Sequence, residues 1–363
     1  MPTAHPYRLR RRAAALCLGA ALCALTACSP AKDPVRAGTI ELKGAGSTML
    51  GVLYKDWFAG YHSSHPGTVV SYEPVGSREG IRRFVAKDAS EAERVDFAAS
   101  DAGLPADQAA AVERGAVVAP IAADSVALVY NLPNFDGDLR LSREAYAGIF
   151  LGRIQNWKDR AIARANPGKK LPDLPITRVV RQDGSGTTFA FTNHLSSISE
   201  DWKNSYGPKM LVNWPGEVQR ARGSEGVAGR VRDAVGSIGY VGLAYAKQSN
   251  LREALLENKE GSYIGPSEAA AEAAFRSLSD IPADLMIFVP DPAGRESYPI
   301  VTLSWVILYA RYDDAQKAQA LRSLFHWCLT DGQRITNDLG YMPLPAPIAE
   351  RTLAAIDGVN GRT

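Results

Sequence analysis

The segment 181–187, Arg-Gln-Asp-Gly-Ser-Gly-Thr, has the residue types that an anion-binding turn needs. A β-branched run precedes it and a helical pattern follows, so the turn opens a helix. The first N–H groups of a helix lack intrahelical partners, and the helix dipole adds partial positive charge there. Ser185 and Thr187 add hydroxyl donors, and Arg181 supplies a planar fork that suits a tetrahedral oxyanion. The alternative is an ordinary capped strand-to-helix turn.

Similar turns occur earlier in the chain. Residues 44–48, Gly-Ala-Gly-Ser-Thr, and the pair at 76–77, Gly-Ser, each join a strand signal to a helix signal. The first of them has no lysine where a nucleotide-cradling loop needs one, and its third glycine is misplaced for a dinucleotide fingerprint. A third apolar run ends in an acid, Asp101, which either faces a ligand or caps the helix that follows.

Residues 1–28 carry the pattern of a bacterial export signal. Four arginines precede an apolar run over 13–24, which suits a signal-peptide core and is too short to span a bilayer. The run ends in Leu-Thr-Ala-Cys28, which resembles the lipobox, whose cysteine is diacylated and becomes the mature N-terminus. We expect removal of residues 1–27, a lipid on Cys28 and a tether over 28–37. A plain secretory signal cut near Ala27 is the alternative.

Charge and cysteine content exclude several kinds of partner. Residues 1–27 hold four arginines and no acid, so their removal lowers the formal net charge of +2 by four, to −2. The mature sequence has no basic patch interleaved with aromatic residues, so no nucleic-acid partner is expected. Besides Cys28 it keeps a single cysteine, Cys328, and no cysteine–histidine cluster suggests zinc. We expect no cofactor.

Strand and helix signals alternate almost throughout the chain. Its 363 residues exceed what one core usually serves, so two domains are expected. The alternation predicts α/β domains with mainly parallel sheets, whose ligands bind beyond the carboxyl ends of the strands. Apolar runs at 117–122 and 126–130 predict buried strands, and 298–309 predicts another. These runs are suited to carrying the chain from one domain to the other.

Several motifs in register give the chain a resemblance to a known family. They are Gly44 to Thr48, Gly76-Ser77, Asp96 to Asp101, Leu151 to Ile154 with Trp157, Arg181 to Thr187, Gly236 to Val241, and Asn337 to Tyr341. Together they resemble the PstS family, the extracytoplasmic phosphate-binding proteins of phosphate-specific ABC transporters. The resemblance covers nearly the whole mature chain.

This resemblance implies a Venus-flytrap fold, with two α/β domains joined by two strand crossings and closing on one phosphate. It places residues 38–122 and 299–363 in domain I and 123–298 in domain II. The implied partners are phosphate, a transporter permease with its ATPase, and the membrane through Cys28. The implied phosphate-binding residues are Thr48, Met49, Ser77, Asp101, Arg181, Ser185, Gly186 and Thr187.

Within the implied site, Asp101 would discriminate between anions, and Asp183 would either orient Arg181 or cap the next helix. Two departures from the family pattern stand out. Met49 replaces a residue that is often aromatic, and Arg78-Glu79 replace small residues after Ser77. We interpret the Arg78-Glu79 pair as a solvated first helical turn.

A secreted phosphatase or serine hydrolase is the main alternative of another class. A nucleophile elbow needs Gly-x-Ser-x-Gly, and neither 184–186 nor 223–226 has that spacing. No histidine adjoins a motif serine in sequence, and His194 is expected on a helix surface. A closer alternative is a binding protein or sensor for another tetrahedral oxyanion.

Overall fold

The computed structural model describes residues 38–87 and 90–362. The expected export signal, the tether and Cys28 lie outside these described residues. The strands are β1 Ile40–Gly46, β2 Thr68–Glu73, β3 Phe97–Ser100, β4 Ala116–Tyr130, β5 Arg140–Leu141, β6 Thr177–Arg181, β7 Gln219–Ala221, β8 Ser237–Gly242, β9 Arg252–Glu253, β10 Leu255–Glu257, β11 Tyr263–Ile264, β12 Val301–Tyr309, β13 Arg311–Tyr312 and β14 Asn360–Gly361. The helices are α1 Gly51–Ser64, α2 Ser77–Val85, α3 Ala106–Ala110, α4 Arg143–Phe150, α5 Arg160–Ala165, α6 Gly186–Ile198, α7 Glu200–Ser205, α8 Gly223–Asp233, α9 Leu243–Gln248, α10 Glu268–Phe275, α11 Ala315–Leu329, α12 Gln333–Asp338 and α13 Ala346–Asp357.

One mixed sheet organises the fold. Its strand order is β2-β1-β3-β12-β4-β8-β6-β7, and β9 also pairs with β4. The ladders of β1 with β2 and β3, and of β6 with β7 and β8, are parallel. The ladders made by β4 and β12 are antiparallel. The expected α/β class is confirmed, with the antiparallel pairs at the centre of the sheet.

Strand β4 belongs to both halves of this sheet. Residues 116–125 pair with β12, and residues 126–130 pair with β8. We expected two separate strands here because polar Asp124 and Ser125 interrupt the apolar run. The structure instead buries both side chains within one continuous strand.

The chain returns beside the same point of β4, where the Val126 N–H donates to the Ile300 carbonyl at 2.8 Å. The two crossings divide the sheet. We call β2, β1, β3, β12 and residues 116–125 the first half-sheet, and residues 126–130 with β8, β6 and β7 the second half-sheet.

Helices cover the half-sheets with apolar and aromatic side chains. On the first half-sheet, the rings of Tyr54 and Phe58 of α1 pack at an angle or edge-on against Tyr72 and Phe97 of the strands. On the second half-sheet, Val227 and Val231 of α8 pack in a buried cluster with valines and alanines of β4, β6 and β8. In the part of the chain that the structure describes, no helix is long and apolar enough to cross a membrane.

Two glycines allow loops of the first half-sheet to lie very close to their neighbours. Gly46 ends β1 with φ +144°, and an added Cβ would lie 2.0 Å from the Ala99 carbonyl oxygen. Gly76 precedes α2 with φ +100°, and an added Cβ there would lie 2.5 Å from Oδ2 of Asp183. Because both φ values favour glycine and both approaches leave no room for a side chain, larger residues would push the loops apart.

Candidate functional site

Loops at the carboxyl ends of β1, β3 and β6 meet between the two half-sheets. The starts of α2, α6 and α8 lie beside them, and hydrogen bonds join residues from both half-sheets. The eight residues expected to bind the ligand are all buried here: Thr48, Met49, Ser77, Asp101, Arg181, Ser185, Gly186 and Thr187.

Asp101 lies at the end of β3 with only 1% of its surface exposed. The hydroxyls of Ser47 and Ser304 donate to its Oδ1 at 2.6 and 2.7 Å. Burial raises the pKa of Asp101, and the hydroxyls together with the charge of Arg181 only partly offset this. The helix-capping alternative is wrong, because α3 begins at Ala106 with Pro105 at its N-cap.

The hydroxyl of Ser77 links the two half-sheets. Its Oγ accepts from the Asp101 N–H at 3.3 Å and from the Gly186 N–H at 3.1 Å. Gly186 begins α6 so close to Asp101 that an added Cβ would lie 2.6 Å from the Asp101 Cβ. The first turn of α6 therefore lies directly against the backbone and Cβ of Asp101.

Arg181 is held by an acidic partner two residues along the chain. Its Nε donates to Oδ1 of Asp183 at 2.9 Å, and its Nη2 donates to Oδ2. Asp183 also accepts from the Gly223 N–H at 2.9 Å. Burial raises the pKa of Asp183, but the hydrogen bonds and charge of Arg181 outweigh it and hold the pKa below its usual value. The geometry therefore fits the expectation that Asp183 orients Arg181, and the cap of the next helix, α6, is Ser185.

Thr48 and Met49 extend the loop after β1 towards the second half-sheet. Oγ1 of Thr48 lies 3.1 Å from Oγ of Ser224 and accepts from the Ser224 N–H at 3.2 Å. The Met49 N–H donates to Oγ of Ser47 at 3.0 Å, and its carbonyl accepts from the Tyr341 hydroxyl at 2.9 Å. The backbone of this loop is thus fixed on both sides.

Ser185 and Thr187 contribute differently to the start of α6. Oγ of Ser185 accepts from the Thr188 N–H at 3.1 Å, so this residue is the helix N-cap. Oγ1 of Thr187 is buried and has no hydrogen-bond partner among residues 38–87 and 90–362. Since buried hydroxyls are nearly always paired, this one is available to a ligand.

The arrangement offers many donors and a carboxylate, Asp101, that has no cation hydrogen-bonded to it in the described residues. The donors are hydroxyls, helix-start N–H groups and a guanidinium, which together suit a small oxyanion. The carboxylate of Asp183 is paired with Arg181, so Asp101 is the acceptor that suits an oxyanion carrying a proton. The histidines among the described residues all have partners outside this site. His62 bonds to Thr68, His65 to Ser64, His194 to Tyr146 and Pro290, and His326 to Asp357, so none of them activates a serine of the site.

The expectation that His194 lies on a helix surface is wrong. The structure buries it completely, with Nε2 2.8 Å from the Tyr146 hydroxyl and Nδ1 2.6 Å from the Pro290 carbonyl. Burial lowers the pKa of His194 to about 4, so the ring is neutral near pH 7. A loop far along the sequence covers this face of α6, which periodicity within α6 cannot reveal.

Three serines of the site were not among the expected residues. Ser47 and Ser304 hold Asp101, and Ser224 pairs with Thr48. The Gly-Ser pair at the start of α8 follows the same sequence pattern as the other strand-to-helix turns, so the sequence could have identified Ser224 as a site residue. Ser304 lies inside an apolar strand and carries no local signal.

The interpretation of Arg78-Glu79 as a solvated helical turn fits Glu79 better than Arg78. Glu79 pairs with Arg82 and Arg83 at 2.7 and 3.0 Å, mainly through Arg82, which lowers the pKa of Glu79 to about 2. This agrees with a solvated helical turn. Arg78, however, donates its N–H to the Gly184 carbonyl of the second half-sheet at 3.1 Å.

Two half-sheets joined by two crossings, with a cluster of donors and a buried carboxylate between them, have the architecture of the two-domain class of substrate-binding proteins. The family model described as the PBP superfamily domain matches residues 30–331. The phosphate-binding protein PstS of Xylella fastidiosa (strain Temecula1) is 35% identical, covering 93% of this chain and 94% of its own. The phosphate-binding protein PstS of Haemophilus influenzae is 36% identical, and the match covers 85% of this chain and 90% of that protein.

Solved structures agree in fold. A periplasmic phosphate-binding protein bound with phosphate has a TM-score of 0.71 at 21% identity, covering 87% of this chain and 93% of its own. The phosphate-binding protein of Stenotrophomonas maltophilia has a TM-score of 0.68 at 18% identity, covering 86% and 93%. The chain belongs to the PstS family of phosphate-binding proteins.

Proposed function

We propose that the protein binds inorganic phosphate between its half-sheets and delivers it to the permease and ATPase of an ABC transporter. The observation that carries this proposal is the buried carboxylate of Asp101 facing the helix start at Gly186 and the paired fork of Arg181. Relatives over most of the chain are phosphate-binding proteins, which supports phosphate as the ligand and a transport role over an enzymatic one.

The ligand would be held from both sides. Thr48, Met49, Ser77 and Asp101 belong to the first side, and Arg181, Ser185, Gly186 and Thr187 belong to the second. Arg181 supplies charge, and the Thr187 hydroxyl supplies a donor that has no partner in the described protein. A desolvated, oriented guanidinium binds an oxyanion far more strongly than an exposed one because the local dielectric is low.

Asp101 would select phosphate over sulfate. Its carboxylate accepts a hydrogen bond from a protonated phosphate oxygen, whereas fully ionised sulfate meets it as an unpaired repulsion. Discrimination of roughly 10⁴- to 10⁵-fold is attainable where buried groups are left unsatisfied.

Closure would couple binding to transport. We take residues 38–122 with 299–363 and residues 123–298 as the two domains, hinged where β4 and the chain before β12 cross. A bound anion touching both sides favours the closed form, which would present a joined surface to the permease.

The protein would work outside the cytoplasm. The arginines, the apolar run and the lipobox at Cys28 support export and a lipid anchor. Replacing Cys28→Ser should release the protein from the membrane fraction, and a variant that stays with the membrane would rule out this anchor.

Calorimetric titration of the purified protein with phosphate, sulfate and arsenate tests the proposed ligand. One phosphate should bind per protein, with sulfate weaker by roughly 10⁴-fold or more. Equal affinity for sulfate would mean that the protein serves another oxyanion, and the absence of phosphate binding would reject the proposal. A chromogenic phosphoester should show no turnover.

A further inference from the structure

Asp124 is a buried acid that the proposed phosphate site does not use. It lies where β4 passes from one half-sheet to the other, and 2% of its surface is exposed. Its Oδ1 accepts from the Ser125 N–H at 2.8 Å. Its Oδ2 has no hydrogen-bond partner among the described residues. An ionised oxygen buried without a partner is costly, so this carboxyl favours its neutral form.

This carboxyl lies directly behind the site. An added Cβ on Gly242 would lie 2.4 Å from Oδ2 of Asp124 and 2.9 Å from Cγ of Met49, so both side chains pack on the same glycine. Thr302 lies opposite Asp124 in the ladder and donates to the Asp101 carbonyl at 3.4 Å. In space, Gly242 alone lies between Asp124 and Met49, and Thr302 alone lies between Asp124 and Asp101.

The carboxyl is covered by parts of both half-sheets. Its ladder partner Thr302 belongs to the first half-sheet, whereas Gly242 ends β8 in the second. Because this cover comes from both halves, opening about the crossing would shift Gly242 relative to the carboxyl and would expose Asp124 to water.

The groups around Asp124 stabilise its ionised form too weakly to offset the effect of burial. Burial raises the pKa of Asp124 to about 8, and the N–H groups of Ser125 and Leu243 only partly offset this. Asp101 raises the pKa further, and Lys247 of α9 is the cation that lowers it. The tyrosines close enough for the charge of Asp124 to raise their pKa are Tyr245, Tyr298 and Tyr341. A bound phosphate would add more negative charge nearby.

We propose that Asp124 takes up a proton when the protein closes on phosphate, and that this proton helps to set the phosphate affinity. The inference rests on the proposed function, because closure over the anion is the step that excludes water from the carboxyl. Asp124 acts through the equilibrium between open and closed forms and does not touch the ligand.

The sign of the effect follows from linkage. The pKa of Asp124 is higher in the closed form than in a solvated open form, so protons favour closure. The contribution of Asp124 to affinity is fully present below the open-form pKa and is lost as pH rises to about 8. Between these limits, affinity falls by roughly tenfold per pH unit through this group alone.

Calorimetry of phosphate binding in buffer pairs with different ionisation enthalpies counts the protons taken up. The comparison is between the natural chain and Asp124→Asn from pH 5 to pH 9, because the titration of phosphate itself cancels in the difference. Near pH 6–7 the natural chain should take up about one proton more than the variant. The variant should also show a flatter dependence of affinity on pH.

A matched control is Glu253→Gln. Burial also raises the pKa of Glu253, but this residue pairs with Val129 on the far side of the crossing. It should take up as many protons as the natural chain. If Asp124→Asn binds phosphate and takes up the same number of protons as the natural chain, the inference is wrong and the proposed function stands. Failure of the natural chain to bind phosphate would reject the proposed function itself.

A second measurement covers the case in which Asp124→Asn does not fold. Carboxyl ¹³C shifts of the natural protein, followed against pH with and without phosphate, report the titration of Asp124 directly. We expect its midpoint to move upward when phosphate is added. An unchanged midpoint would overturn the inference.

Discussion

At the scale of single residues, our proposal assigns binding and selection to different side chains. Arg181 is oriented by Asp183 and carries the positive charge, while two serine hydroxyls hold Asp101 through one oxygen. This division lets the strength of binding and the choice between anions be changed separately.

Replacing Asp101→Ala should therefore reduce selectivity more than affinity. The variant removes the acceptor that suits a protonated oxygen and the repulsion that rejects sulfate, so the phosphate-to-sulfate ratio should fall by at least about a hundredfold. Calorimetry with each anion measures the ratio. Asp107→Ala, an exposed acid in α3, is the control and should leave the ratio unchanged. Unchanged discrimination in Asp101→Ala would remove Asp101 from this role.

At the scale of elements, the start of α6 depends on the absence of a side chain at Gly186. An added Cβ would lie 2.6 Å from both Cβ and N of Asp101. For the halves to close, the backbone at Gly186 must approach the backbone at Asp101. A side chain at position 186 would therefore clash with Asp101 only in the closed form. A separated form would tolerate the methyl group.

Gly186→Ala should weaken phosphate binding by about 1–3 kcal/mol, or roughly 5- to 150-fold, with little change in unfolding temperature. Gly226→Ala is the matched control, because this glycine also lies in the first turns of a helix and an added Cβ would lie 3.6 Å from its nearest contact. The control should bind phosphate normally. Equal affinities for the two variants would show that this close approach does not limit closure.

The docking of α6 also depends on a neutral histidine. His194 joins α6 to Tyr146 of α4 and to Pro290. Burial lowers its pKa to about 4 from an ordinary value near 6.5, so the unfolded chain binds this proton more readily. His194 therefore supports the fold above pH 6.5, and that support is lost as pH falls towards 4.

Urea unfolding from pH 7 to pH 4 should detect this residue by comparison with His194→Gln. The unfolding free energy of the natural chain should fall by about 3 kcal/mol more than that of the variant, because the glutamine has no proton to gain. Other acids titrate equally in both proteins and cancel. Parallel curves would mean that His194 is not kept neutral by burial.

At the scale of the whole molecule, phosphate should make the protein more compact. The anion contacts both sides in our proposal, so saturation shifts the population towards the closed form. Small-angle scattering should show a smaller radius of gyration with phosphate than with sulfate at the same concentration. An identical profile at saturation would speak against closure as the response to binding.

Much of this architecture could be predicted from the sequence because its signals are local. Glycine and hydroxyl turns between strand and helix patterns identify segments 44–48, 76–77 and 181–187. These segments meet in the structure, where the Gly76 N–H donates to the Gly46 carbonyl and the Gly186 N–H donates to Ser77. The α/β class follows from alternating elements. The pairing of Arg181 with Asp183 spans only two residues, so sequence proximity was enough to suggest it.

The missed features all arise from contacts distant in the chain. Ser304 reaches Asp101 across 203 residues, and His194 reaches Pro290 across 96. Asp124 and Ser125 resemble a break in an apolar run, yet the pairing of β4 with β12 and β8 keeps the strand continuous. No local pattern encodes which strand will lie alongside another.

The position of β12 also constrains when the protein can fold. This strand lies between β3 and β4, so the first half-sheet lacks a central member until residues 301–309 have been synthesised. The ribosome makes all of the second half-sheet before that strand. The chain therefore cannot complete its N-terminal core during most of its own translation, and it pays for this with slow, long-range pairing. If the chain is exported as we propose, this delay keeps its first half-sheet unfolded, and so able to pass through a narrow translocon, until residues 301–309 have been made.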